Sequence, residues 1–160
     1  MNIIIVTHNK YLELGLKILL NRHSVTIGNE YFIPENRNKL IQNDVFVILC
    51  DKKLRNLMDY MFNGHKFYLL SVESISSLSD VYNCIYGRNA SVWHSQKKLT
   101  MNEMVILFYY VFYECNVAEI AYQFGISPKT VYTHIYRAKK KNEIHGVNLK
   151  YKCSYERLIG

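Results

Sequence analysis

Residues 116–141 read NVAEIAYQFGISPKTVYTHIYRAKKK, and this stretch decides how the chain is understood. It predicts two short helices joined by a tight turn. Asn116 can cap the first helix, with Glu119 three residues on to complete a capping box. Val117, Ile120, Ala121 and Phe124 recur at helical spacing and predict a buried face. Gly125 stands where a left-handed C-cap stops a helix cheaply. Ser127 is a natural N-cap, and Pro128 a natural first helical residue, because the N–H it lacks has no partner there anyway. Val131, Ile135 and Ala138 continue the buried side. The outer side of this second helix, about 128–141, is left with Lys129, Thr130, Tyr132, Thr133, Tyr136, Arg137, Lys140 and Lys141. A basic helix with aromatic and hydroxyl side chains, set behind a supporting helix, is the layout of a helix-turn-helix. Its second helix lies in the major groove of duplex DNA.

Charge supports the same reading. The 160-residue chain has a formal net charge of +7. Residues 1–90 hold 10 basic against 8 acidic side chains, and residues 91–160 hold 10 against 5. A polyanion is the partner this imbalance predicts for the C-terminal part, with a merely solvated basic face as the plain alternative. The Lys139–Lys140–Lys141 run also offsets a helix dipole without any ligand. Composition, 49% hydrophobic and 21% charged, is that of a folded protein.

The N-terminal part alternates strand and helix. Apolar runs at 3–6, 44–50 and 67–72 predict buried parallel strands, with shorter strand candidates at 25–27 and 31–33. Helical periodicity marks 11–20, 54–62 and 74–86. Alternation of this kind predicts an α/β layer. Residues 88–98 are polar and aperiodic and predict a linker. Thr100 and Glu103 then open a capped helix carrying MVILFYYVFY at 104–113, apolar almost all round. That run is half the ~20 residues needed to cross a bilayer, so it predicts a core helix supporting the helix-turn-helix on one side and the first domain or a partner subunit on the other. A last helix is predicted within 149–159.

Other chemistry has little to stand on. The four cysteines, Cys50, Cys84, Cys115 and Cys153, form no metal-binding spacing and predict reduced thiols of a cytosolic protein. The amino terminus lacks the features of a signal peptide. His8 and Asp51 offer two candidate metal ligands without a third. Trp93 and His94 are candidates for pinning the two domains together.

Residues 99–147 resemble the LuxR/FixJ-type, or NarL-type, DNA-binding domain. The resemblance rests on Leu99, Thr100 and Glu103 at the first helix, on Glu119, Ile120 and Ala121 in the scaffold helix, and on Ile126, Ser127, Thr130, Val131 and His134 in the turn and recognition helix. It departs from the pattern in a segment one residue longer before the scaffold helix, and in Lys141-Asn142-Glu143-Ile144 where the family has K-L-G-V. The wording SPKTVYTH is close to a subgroup of enterobacterial fimbrial regulators. The resemblance implies base contacts from Tyr132, Thr133 and Tyr136, phosphate contacts from Lys129, Thr130 and His134, and a dimer contact through a fourth helix. The N-terminal part resembles a response-regulator receiver stripped of its chemistry. Thr7 and His8 stand for the acidic pair, Leu49 stands at the phosphoacceptor position, and Asp51 comes two residues late.

The sequence therefore predicts a shortened, receiver-like α/β domain over 1–88, a linker over 89–98, and a four-helix helix-turn-helix domain over 99–160. The function it predicts is a cytoplasmic, sequence-specific transcription regulator that binds double-stranded DNA as a homodimer or as a heterodimer with a related regulator. No catalytic residue, phosphoacceptor, metal, cofactor or membrane contact is expected. The alternative is an interaction protein that titrates a related regulator through heterodimers.

Overall fold

The computed structural model describes residues 2–41, 45–86, 91–92, 97–143 and 149–150. Five strands form one sheet in the order β2-β1-β3-β4-β5. They are β1 (Asn2–Val6), β2 (Ser24–Ile27), β3 (Val45–Cys50), β4 (Lys66–Ser71) and β5 (Ser91–Val92). The first four are parallel, with Ile4 opposite Thr26 and Ile48, and Ile48 opposite Leu69; β5 runs antiparallel to β4. The helices are α1 (Lys10–Leu19), α2 (Gly28–Tyr31), α3 (Arg55–Met61), α4 (Leu78–Tyr86), α5 (Met101–Val111), α6 (Val117–Phe124) and α7 (Pro128–Lys141).

The alternation of side chains along the strands sorts the core into two layers. Ile3, Ile5, Val47 and Leu49 pack with Leu16 of α1, with Leu20 just after it, and with Val81 of α4. Ile4, Val6, Phe46, Ile48 and Phe67 point the other way, to Leu57, Met58 and Met61 of α3. This second face has a short crossover. Among the described residues between β2 and β3, the chain makes only the single turn of α2 and a 3-10 turn at Pro34–Asn36. The vacated surface is covered by α5, whose Met104, Val105, Ile106, Leu107 and Phe108 are all buried in the same cluster as the sheet. The Phe108 ring centroid lies 4.9 Å from that of Phe32. One apolar core thus runs from the sheet through α5 to Ile120, Phe124, Val131 and Ile135. The near all-round apolarity of α5 follows: one side meets the sheet, the other meets α6 and α7.

Gly28 is where this packing is tightest. A Cβ placed there would meet Val6 Cγ2 at 3.0 Å and Phe108 Cζ at 3.5 Å. A methyl group at this position would crowd Val6 of β1 and make ordinary contact with Phe108 of α5.

Several sequence expectations are corrected. The strand candidate at 31–33 is not one: Tyr31 ends α2, and Phe32 turns wholly into the core. The helix expected from 74 begins at Leu78. Before it, Val72–Ser74 form a 3-10 turn, and the Asp80 carboxylate accepts the backbone N–H groups of Ser76 and Ser77, which fixes a later start. The stretch expected to be a linker contains β5, since two residues are too few to show a period. The βα units β1–α1, β2–α2, β3–α3 and β4–α4 follow in chain order, with α2 a single turn and β5 two residues long. Trp93, His94, Cys153 and nearly all of the predicted fourth helix lie outside the described residues.

Candidate nucleic-acid interface

The helix-turn-helix is built from local signals that all operate. Asn116 and Glu119 form the reciprocal capping box, with Glu119 N–H donating to Asn116 Oδ1 at 2.9 Å and Asn116 N–H to Glu119 Oε2 at 2.7 Å. Thr100 and Glu103 do the same for α5. Gly125 adopts φ 62°, ψ 36°. Its N–H donates to the Tyr122 carbonyl and that of Ile126 to the Ala121 carbonyl, the paired bonds of a Schellman ending. The Ser127 hydroxyl then accepts from Thr130 N–H at 3.1 Å and starts α7.

Val131, Ile135 and Ala138 lock α7 into the core. Its opposite side is open. Lys129, Tyr132, Thr133, Tyr136, Arg137 and Lys140 are exposed in the intact chain, and neither α5 nor the α/β part covers them. The two tyrosines are 62% and 65% exposed, so large flat rings stand in water beside cations. The Thr133 hydroxyl donates to the Lys129 carbonyl at 2.9 Å, which leaves its methyl group and oxygen lone pairs facing out. Thr130 is half-buried, its hydroxyl 2.8 Å from that of Ser127.

Two of the sequence-selected residues face inward instead. His134 Nε2 lies 3.2 Å from the Asn102 amide of α5. Burial pushes its imidazole below the ordinary value, Glu103 opposes this, and Arg137, Arg37 and Lys141 add to it. Lys141 donates to Glu103 Oε2 at 2.7 Å and to the Lys98 carbonyl at 3.1 Å. The Glu103 side chain is only 3% exposed, so this ammonium neutralises a buried carboxylate. Periodicity puts Lys141 outside because the flank of α7 that meets α5 is not distinguishable from the solvent flank by spacing alone, while the expectation of a phosphate contact at His134 comes from the family resemblance.

Sequence reasoning missed the α/β residues that hold the interface. Arg37 donates from Nη1 to the Phe124 carbonyl at 2.7 Å, closing the end of α6. Asn63 donates to Asn142 Oδ1 at 2.8 Å, and Asn142 donates to the Tyr60 carbonyl at 3.3 Å, tying the end of α7 to α3. No local pattern marks these residues, which act across 79 to 87 positions of chain. At the far end of α5, the His8 ring stacks on Phe112 with centroids 4.1 Å apart. His8 N–H and the Thr7 hydroxyl both donate to the Asp51 carboxylate. Thr7, Asp51 and His8 thus form a closed set, with Phe112 stacked on His8.

A cleft of about 590 Å³ lies between residues 37–41 and the adjoining parts of α5 and α7. Its lining includes Arg37, Lys39, Lys98, Glu103, His134 and Arg137. No helix among the described residues is long and apolar enough to cross a membrane.

Three likenesses to known proteins are found. The family model described as "Sigma-70, region 4" matches residues 97–141, the span from just before α5 to the end of α7. The SPbeta prophage-derived uncharacterized protein YomV of Bacillus subtilis (strain 168) is 24% identical over 102 residues, 64% of this chain. The chain spans 42% of the length of that relative. A solved structure of the two-component response regulator RcsB–DNA complex aligns over 96% of this chain and 98% of that chain, at 17% identity and a TM-score of 0.46. The span matched by the family model coincides with α5 and the capped helix pair α6–α7.

Proposed function

We propose that this chain is a cytoplasmic, sequence-specific transcription regulator that lays α7 in the major groove. The observation that carries the reading is the open outer side of α7 in the intact chain. Lys129, Tyr132, Thr133, Tyr136, Arg137 and Lys140 are exposed there, while Val131, Ile135 and Ala138 anchor the helix behind them. Tyr132, Thr133 and Tyr136 meet base edges; Lys129, Arg137 and Lys140 meet phosphates, which supply most of the affinity. Lys141 and His134 hold α7 against α5 and contribute through position.

The α/β part, in this reading, is a receiver-like module that no longer takes a phosphoryl group. Leu49, at the phosphoacceptor position, is wholly buried. Asp51 already accepts two hydrogen bonds, and a phosphoryl transfer needs a positioned, accessible acceptor. The module serves instead to join subunits, in a homodimer or with a related regulator. The outward apolar side chains of α1, Tyr11, Leu14, Ile18 and Leu19, are the observation that favours a partner role, including the titration of a related regulator.

The test is a binding series on duplex DNA. Thr133→Ala weakens one sequence selectively, whereas Lys129→Ala weakens all sequences and flattens the salt dependence. If both variants bind like the wild type, α7 is not the docked helix.

A further inference from the structure

The α/β part leaves α7 uncovered, yet it places cations beside it. Arg37 is fixed at the elbow of the helix-turn-helix by its bond to the Phe124 carbonyl, one residue before Gly125. Asn38 and Lys39 follow it and are exposed, with Lys39 N–H donating to the Asn36 carbonyl at 2.9 Å to set the loop. Across the cleft lie Lys98, just before α5, and Arg137, on α7 itself. Glu103 is the acid among the described lining residues, and Lys141 already neutralises it at 2.7 Å. The positive charge of Arg37, Lys39, Lys98 and Arg137 therefore gathers along one flank of α7. Arg137 belongs both to this cleft and to the exposed side of the helix.

Geometry says what would meet that flank. An α-helix with its side chains is about 10–12 Å across, and the major groove is about 12 Å wide. A helix seated there fills the groove from wall to wall, and the walls are phosphate backbone. Any element packed against the flank of the helix then stands over a strand of phosphates. We propose that the loop 37–39 of the α/β part, together with Lys98 and Arg137, is a second phosphate-binding wall, so that the α/β part grips the duplex backbone directly beside α7. This rests on the reading of α7 as the groove-bound helix. It adds that the sheet-bearing half is part of the DNA-binding surface, held there by Arg37.

Lys39 is the residue to test, because its exposed side chain can be changed with the Arg37–Phe124 bond left in place. The probe is the full chain titrated onto duplexes with and without the preferred sequence, across a salt series. Lys53, exposed at the opposite end of the sheet, provides the control for loss of one charge. Lys39→Ala weakens both duplexes by the same factor and lowers the slope of log affinity against log salt by about 0.9; Lys39→Glu weakens binding further; Lys53→Ala leaves the slope unchanged. Thermal melting of all three variants matches the wild type. Equal slopes for Lys39→Ala and Lys53→Ala, with the wild type bound, overturn the proposal while leaving α7 in place. A wild type that binds no duplex overturns the reading beneath it, and the proposal with it. Titration with inorganic pyrophosphate in the absence of DNA separates the other source of phosphate. A Lys39-dependent thermal shift with an unchanged DNA salt slope assigns the cleft to a soluble anion and also overturns the proposal.

Discussion

The Lys141 ammonium stands 2.7 Å from Oε2 of Glu103, so the last residue of α7 is bound to the first turn of the helix that supports it. The same carboxylate oxygen accepts Thr100 N–H at 2.8 Å. Removing the ammonium leaves a buried carboxylate with part of its acceptor capacity unfilled. Lys141→Met is expected to lower unfolding free energy by about 1–3 kcal/mol, the cost of leaving a buried polar group unsatisfied. Lys140→Met, on the exposed side, is expected to stay within about 0.5 kcal/mol of the wild type. Urea unfolding of the two variants side by side checks this. An equal, negligible effect would place Lys141 among the free phosphate contacts.

Gly28 makes the packing of α2 on β1 testable. Val6 is β-branched and cannot easily swing its Cγ2 away from a new methyl group 3.0 Å distant. Gly28→Ala is expected to cost about 1–3 kcal/mol by overpacking. Adding Val6→Ala should recover part of the overpacking loss, a coupling that a double-mutant cycle reads directly. Strict additivity of the two changes would mean that they do not share a contact.

His134 gives the fold a defined response to acid. Burial holds its folded-state pKa below the ordinary value, with the cations Arg137, Arg37 and Lys141 acting in the same direction. The Asn102 Nδ2 amide group can only donate, so the neutral ring accepts at Nε2, and protonation there sets N–H against N–H. The unfolded chain takes up this proton near pH 6.5, before the folded chain does. The contribution is therefore fully present above about pH 6.5 and is lost as pH falls through the folded pKa. Urea midpoints between pH 7.5 and 5.5 should fall less for His134→Gln than for the wild type. Parallel pH profiles would show that the imidazole stays neutral or charged alike in both states.

Asp51 tests the status of the α/β part. With its carboxylate held by Thr7 and His8, incubation of the full chain with a small-molecule phosphodonor should leave its mass unchanged. A labile phosphoryl adduct lost in Asp51→Asn would show that the site still works as an acceptor.

What could be read from residue order was what neighbouring residues decide among themselves. Thr100/Glu103, Asn116/Glu119, Gly125 and Ser127-Pro128 each act within four or five positions, and each forms the cap or turn its chemistry demands. The buried strands β1, β3 and β4 were legible for a similar reason, as continuous apolar runs. The union of α5 with the sheet was less so. It depends on α2 being a single turn, and thus on what a distant crossover fails to cover. Within the site, the outward position of Tyr132, Thr133 and Tyr136 follows from helical period. The inward turn of His134 and Lys141 depends on Asn102 and Glu103, some thirty or more residues away. Arg37 and Lys39 carry no local mark at all, because their place beside α7 is made by the fold.

The central claim is that the exposed side of α7 reads base sequence. Selection of bound duplexes from a randomised pool by the full chain tests it most directly, with Tyr132→Ala, Thr133→Ala and Tyr136→Ala selected in parallel. The wild type should enrich one motif, with each variant losing preference at its own base positions while retaining general affinity for DNA. A wild type that enriches no motif, or three variants that enrich the wild-type motif unchanged, would contradict it.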